Sequence, residues 1–134
     1  MSKVLKFGGK SLASLHNNTD LLQIIHNHAA LSSLIIVVSA IGNTTDILLE
    51  LLRKAKNNEP NQELLNELKH LNFYSKINTE DQFQLIENIL QGVSLIQDYS
   101  TKVQDLLLAQ GELISSKVIT EILNEKGYEA VILD

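Results

Sequence analysis

Two lysines and a serine bracket a pair of glycines near the start of the chain, in Lys6-Phe7-Gly8-Gly9-Lys10-Ser11. The apolar run Val4-Leu5 precedes them and a long helical pattern follows, so the stretch reads as a turn from strand to helix. Adjacent glycines let backbone N–H groups approach a ligand with no Cβ in the way. The start of the following helix favours negative charge, and the lysines add two cations. Such residues at this spacing suit a phosphate group. The same Gly-Gly pair serves any tight strand-to-helix turn, and the motif by itself leaves both readings open. A P-loop does not fit. Gly9-Lys10-Ser11 would complete G-x-x-x-x-G-K-[ST] only with a glycine at position 4, which is Val4.

Two further groups of residues could do chemistry. Ser39-Ala40-Ile41-Gly42-Asn43-Thr44-Thr45-Asp46 is a small, polar loop that ends at the start of a helix. Its Thr45 reads equally as a helix cap or as a ligand hydroxyl. Glu112 follows Gly111 and reads as the first turn of a helix, where a carboxylate complements the helix dipole or faces a cationic ligand. The four histidines, His16, His26, His28 and His70, lack the spacing of a metal-ligand set and read as surface or boundary residues. The chain has no cysteine, which excludes disulfides and thiolate sites.

The elements that must position these residues follow from periodicity. Lys3 to Phe7 is a short strand, and residues from about Ser11 to Leu31 carry a helical stripe that Asn17-Asn18-Thr19-Asp20 could break. Leu34-Ile35-Ile36-Val37-Val38 is uninterrupted and apolar, as expected of a parallel strand covered on both faces. The order strand, helix, strand is a βαβ unit. A helix begins near Thr45 and fades at Asn57-Asn58-Glu59-Pro60, and another runs from about Gln62 to Tyr74. Thr79 and Gln82 match a capping box that opens a long helical region through Phe83, Ile86, Leu90, Val93, Ile96, Val103 and Leu107. Gly92 within it suggests a kink or a close helix contact. Gly111 interrupts the pattern, and a new helix from Glu112 stops at Asn124-Glu125-Lys126-Gly127. Residues 128–134 then read as a third strand. Three strands with about five helices define an α/β protein whose sheet is small, as in the first part of a larger domain. The carboxyl edge of such a sheet is where ligands bind.

Composition narrows the function. The chain has 134 residues, 44% of them apolar, enough for one domain or part of one. A net charge of −5 argues against general nucleic-acid binding, which needs a basic face. No signal-peptide pattern follows Met1, and the longest apolar run, Leu34 to Val38, is far below the ~20 residues of a membrane span. A cytoplasmic, membrane-free protein is expected.

Three ordered motifs and a closing apolar stretch carry a specific resemblance. Val4-Leu5-Lys6-Phe7-Gly8-Gly9 with Ser11-Leu12 resembles the N-terminal signature of the aspartate kinases within the amino-acid kinase family. Val37 through Asp46 is similar to that family's second-strand segment, apolar-Val-Ser-Ala ending in Thr-Asn or Thr-Asp. Gln110-Gly111-Glu112-Leu113-Ile114-Ser115 resembles its Gly-Glu-x-x-Ser helix start, and Val131-Ile132-Leu133-Asp134 its later strand. The resemblance spans the whole chain. It implies a three-layer αβα sandwich with a mostly parallel sheet, of which residues 1–134 are the N-terminal portion, with a helical insertion at about 46–110 and no second domain.

The activity implied is transfer of the ATP γ-phosphate to the side-chain carboxylate of L-aspartate, the first step toward lysine, threonine and methionine. By the same resemblance Lys6 is catalytic, and Lys6, Phe7, Gly8, Gly9 and Ser11 bind the ATP phosphates. Ser39, Thr45 and Glu112 bind aspartate, Glu112 through the α-ammonium, and Ser115 packs or supports. Mg2+ arrives with ATP, with no metal site on the protein. A homo-oligomer is implied for the full-length protein, and the isolated fragment should be nearly inactive. Lys10 departs from the Thr or Ser usual in the signature. Two alternatives stand beside this reading: a non-catalytic binding or oligomerisation module that keeps the fold, or another amino-acid kinase acting on acetylglutamate, glutamate or carbamate.

Overall fold

The computed structural model describes residues 3–12, 19–29 and 34–133. Two five-residue strands, β1 (Lys3–Phe7) and the wholly apolar β2 (Leu34–Val38), pair in parallel, in register from Lys3 with Leu34 to Phe7 with Val38. Between them lie a single helical turn, α1 (Gly9–Leu12), and α2 (Thr19–Ala29), so the expected βαβ unit is present. α2 starts at Thr19, within the Asn17-Asn18-Thr19-Asp20 stretch where a break was expected, and residues 13–18, His16 among them, lie outside the described residues. Leu5, Phe7, Leu34, Ile36 and Val38 are half-buried, while Val4 (55%), Ile35 (41%) and Val37 (44%) stay exposed. Strand side chains alternate between faces, so only one face of the pair is covered. Among the described residues, nothing supplies the cover expected on the second face of β2.

Four helices follow: α3 (Thr44–Lys56), α4 (Gln62–Leu71), α5 (Glu80–Ile96) and α6 (Thr101–Glu125). The i, i+3, i+4 spacing of Ile47, Leu48, Leu51, Leu52 and Ala55 buries one side of α3, which packs against α4, α5 and α6. Phe83, Ile86, Leu90 and Val93 of α5 and Leu107, Ile114, Val118 and Ile122 of α6 complete the core.

Several local expectations are overturned. Thr79 occupies the cap position of α5 but its side chain makes no capping bond. Asn78 Oδ1 instead accepts from the Glu80 N–H at 2.8 Å. Gln82, the other half of the expected capping box, accepts from Lys117 Nζ of α6 at 3.0 Å. The long helical region is two helices, because Gln97 turns left-handed (φ 61°) and Ser100 caps α6 by accepting from the Val103 N–H at 3.2 Å. Conversely, α6 runs unbroken through Gly111, so no helix starts at Glu112. Among the described residues nothing lies within 4 Å of a Cβ placed on Gly92, so of the kink or close helix contact suggested there the close contact is not made.

The third strand is also absent among the described residues: residues 128–133 are irregular. The Asn124 side chain brackets Ala130, accepting from its N–H at 2.8 Å and donating to its carbonyl at 3.2 Å. Those are the groups a ladder partner would use. Val131 (78%) and Leu133 (75%) lie exposed.

Arg53 closes the end of α3 onto the following turn, donating to both Glu50 oxygens from Nε and to Glu59 from Nη1 at 2.8 Å. These hydrogen bonds hold the Glu50 and Glu59 carboxyls below their ordinary 4.5. A carboxyl lowered in the folded state stabilises above its unfolded pKa and loses that contribution as pH falls through its folded one. The urea midpoint should therefore drop less steeply between about pH 5 and about pH 3 in Arg53→Met than in the parent. Parallel curves would exclude the triad as a source of the acid dependence.

Candidate functional site

Parallel pairing places the carboxyl ends of β1 and β2 side by side, and the chain turns away from each through small residues. The Ser39 N–H donates to the Phe7 carbonyl at 3.1 Å, and the Gly42 N–H donates to the Gly9 carbonyl at 2.9 Å. The two turns are thus bonded to each other. Their approach is close enough to require glycine at position 9. A Cβ there would lie 2.5 Å from the Gly42 oxygen and 3.1 Å from the Ala40 oxygen. A Cβ on Gly8 would meet nothing within 4 Å among the described residues. The two glycines therefore do different things: Gly9 permits internal packing, and Gly8 presents bare backbone to solvent.

A turn of α6 closes the third side. A Cβ on Gly111 would lie 2.9 Å from Thr44 Cγ2 and 3.1 Å from the Ala40 Cβ, so glycine lets the helix lie directly on the loop after β2. This explains a glycine inside a continuous helix better than a helix boundary does. One turn on, Ser115 Oγ, fully buried, donates to the Ser39 carbonyl at 2.6 Å and lies 3.0 Å from the Glu112 carbonyl.

Around this junction, Lys6, Gly8, Ser39, Thr45 and Glu112 are all exposed. Glu112 sits in the interior of α6, so dipole complementation at a helix start no longer accounts for it. Its carboxylate has no cationic partner among the described residues. Thr45 is not the cap of α3 either: that position is Asn43, which makes no side-chain capping bond. The Ser39 hydroxyl makes one weak bond, to the Ala40 carbonyl at 3.3 Å. Lys6, paired in register with Val37, stands on the uncovered side of the sheet. Phe7 is half-buried and packs against the core. The Ser11 side chain lies outside the described residues, and its backbone belongs to α1.

The structure thus brings together the segments carrying Gly8, Gly9, Ser39, Thr45 and Glu112, with Lys6 two residues before Gly8. A cleft of about 690 Å³ opens beside them between β2, α6 and residues 128–133. Glu112 lines it, but Lys6, Gly8, Gly9, Ser39 and Thr45 do not, and its walls are mainly apolar. It occupies the space beside the open edge of β2 rather than the polar junction. No group of three His, Cys, Asp or Glu converges among the described residues, and no helix there is long and apolar enough to cross a membrane. Sequence reasoning missed Asn72, which is buried and donates to Thr44 Oγ1 at 3.0 Å, because no local pattern links positions 28 residues apart.

The chain belongs to the amino acid kinase family, whose family model matches residues 1–134. Its relatives narrow the resemblance. It is 25% identical over 150 residues to the bifunctional aspartokinase/homoserine dehydrogenase of Buchnera aphidicola, covering 98% of this chain and 18% of that protein. It is 29% identical over 138 residues to the chloroplastic aspartokinase 1 of Arabidopsis thaliana, covering 95% of this chain and 24% of that one. The crystal structure of E. coli aspartokinase III in complex with aspartate and ADP superposes with a TM-score of 0.76 at 28% identity, over 96% of this chain and 30% of that one. The same enzyme with lysine and aspartate gives a TM-score of 0.72 over 92% of this chain. The α/β fold expected from the motifs is therefore that of an amino-acid kinase. The chain spans a quarter or less of the length of these two relatives.

Proposed function

We propose that this chain is the N-terminal part of an aspartate kinase, carrying the aspartate subsite and part of the phosphate subsite. One observation supports it above the others: Ser39, Thr45 and Glu112 stand exposed around a junction whose buried side is fully packed. Exposed polar groups with few internal bonds around a preorganised turn are what a small charged substrate needs. The relative that binds aspartate and ADP shares this fold.

The chemistry fits the residues. The carboxylate of aspartate, with pKa near ~3.9, is ionised at neutral pH, so the nucleophile needs no general base. The obstacle is repulsion between an anionic nucleophile and an anionic phosphate, overcome by positioning and charge neutralisation. Lys6 supplies the positive charge toward the transferred phosphoryl group. The Gly8-Gly9 turn, with Phe7 and Ser11, offers backbone N–H groups and a hydroxyl to phosphate oxygens. Glu112 pairs with the α-ammonium of aspartate, and Ser39 and Thr45 offer hydroxyls to its polar groups. Mg2+ comes with ATP and neutralises its phosphates. The helices α3, α4 and α5, with the first part of α6 to about residue 110, are read as the helical insertion of such a kinase domain. We read the native protein as cytoplasmic, homo-oligomeric and committed to lysine, threonine and methionine synthesis.

The test is trapping of aspartyl phosphate as its hydroxamate by the full-length polypeptide, with L-aspartate, N-acetylglutamate and glutamate compared as acceptors. Product only from aspartate is expected; product only from another acceptor, or from none, overturns the assignment. Lys10 is exposed on α1 beside the turn and has no anionic partner among the described residues. Replacing it with threonine should weaken ATP binding about two- to fivefold, the scale of one exposed charge interaction. Unchanged nucleotide affinity would remove Lys10 from the site.

A further inference from the structure

We propose that Ser115 and Asn72 are positioning residues that clamp the loop after β2 from behind, an inference that rests on the aspartate-subsite reading above. The loop and the first turn of α3 that it leads into carry both hydroxyls assigned to that subsite, Ser39 and Thr45, and each end of this segment is held by a buried side chain from a distant helix. At one end Ser115 of α6 donates to the Ser39 carbonyl at 2.6 Å across 76 residues. Because Ser115 also approaches the Glu112 carbonyl at 3.0 Å, it ties Ser39 to the helical turn that bears Glu112. At the other end Asn72, at the end of α4, donates to Thr44 Oγ1 and to the Leu68 carbonyl, both at 3.0 Å. Thr44 immediately precedes Thr45 and presses its methyl group against Gly111.

Packing alone does not account for these choices. Asn72 is 1% exposed, and its Oδ1 has no hydrogen-bond partner among the described residues. A buried acceptor left unmet is costly, and an apolar side chain of similar size would avoid that cost. What an apolar residue could not do is hold the Thr44 hydroxyl. Thr44 and Ser115 are likewise buried while their site neighbours Thr45 and Glu112 are exposed. The polar atoms behind the loop therefore face inward to the clamp, and those in front face solvent.

The test uses amide hydrogen exchange and calorimetry on the chain with Ser115→Ala and, separately, Thr44→Val, which keeps the shape of the side chain and leaves Asn72 its bond to Leu68. Exchange at the Ser39, Gly42 and Thr44 amides, which bond to Phe7, Gly9 and Ile41, should quicken about fivefold, the scale of one lost hydrogen bond. The amides of Leu51, Leu52 and Leu90 should keep their rates. Uniform quickening at all of these positions, or none, overturns the clamp. In calorimetry, L-aspartate affinity should fall by a similar factor while ATP affinity holds. If the unaltered chain binds no aspartate, the subsite reading fails, and exchange still decides whether the loop is clamped.

Discussion

Replacing Lys6 with methionine in the full-length polypeptide is expected to lower kcat for aspartyl phosphate formation by about a hundred- to a thousandfold. The physical reason is that phosphoryl transfer between two anions depends on positive charge placed where negative charge accumulates, and methionine keeps the length of the side chain without the charge. Lys6 is exposed on β1 and has no ion pair among the described residues, so the fold should not notice the change. The urea unfolding free energy should stay within about 0.5 kcal/mol of the parent. KM for aspartate should also change little, because the assigned aspartate contacts lie on other segments. A loss of less than tenfold in kcat would remove Lys6 from the catalytic role, and a matching loss of stability would assign it to the fold instead.

The second large effect belongs to Gly9. Alanine there brings a methyl group 2.5 Å from the Gly42 carbonyl oxygen and 3.1 Å from that of Ala40. Both are backbone atoms, so neither can rotate aside, and the two turns must separate. The Gly42 N–H bond to Gly9 then lengthens or breaks. We expect a loss of about 1–3 kcal/mol of stability, typical of an added methylene in a packed position, together with loss of aspartate binding. Gly8→Ala is the control. With no atom of the described residues within 4 Å of its added Cβ, it should change stability by less than about 0.5 kcal/mol. Equal effects of the two alanines would mean that the close approach of the turns does not hold the junction together.

The same pair of glycines shows where local reading stops. As a sequence motif, Gly8 and Gly9 are equivalent; in the folded chain one faces solvent and the other lies against the Ala40–Gly42 backbone. Gly111 makes the same point from the opposite direction. By propensity it ends a helix, yet α6 continues through it because the missing side chain lets the helix rest on Thr44 and Ala40. Gln82 meets the rule for a capping box, but Lys117 of α6 competes for its side chain. The apolar run at 131–133 has strand character, yet Asn124 takes both backbone groups of Ala130 just before it.

What the sequence by itself determined was the parallel βαβ start, the core stripe of α3, and the chemical types assembled at the junction. Each is encoded within a few residues: an apolar run, a 3.6-residue period, a glycine turn with its lysines. Only the tertiary structure decided that Glu112 stands in mid-helix rather than at a helix start, and that Ser115 and Asn72 reach the loop behind Ser39 and Thr45. Those bonds join residues 76 and 28 positions apart. Contacts of that range follow from how helices pack on the sheet, and no spacing along the chain encodes them.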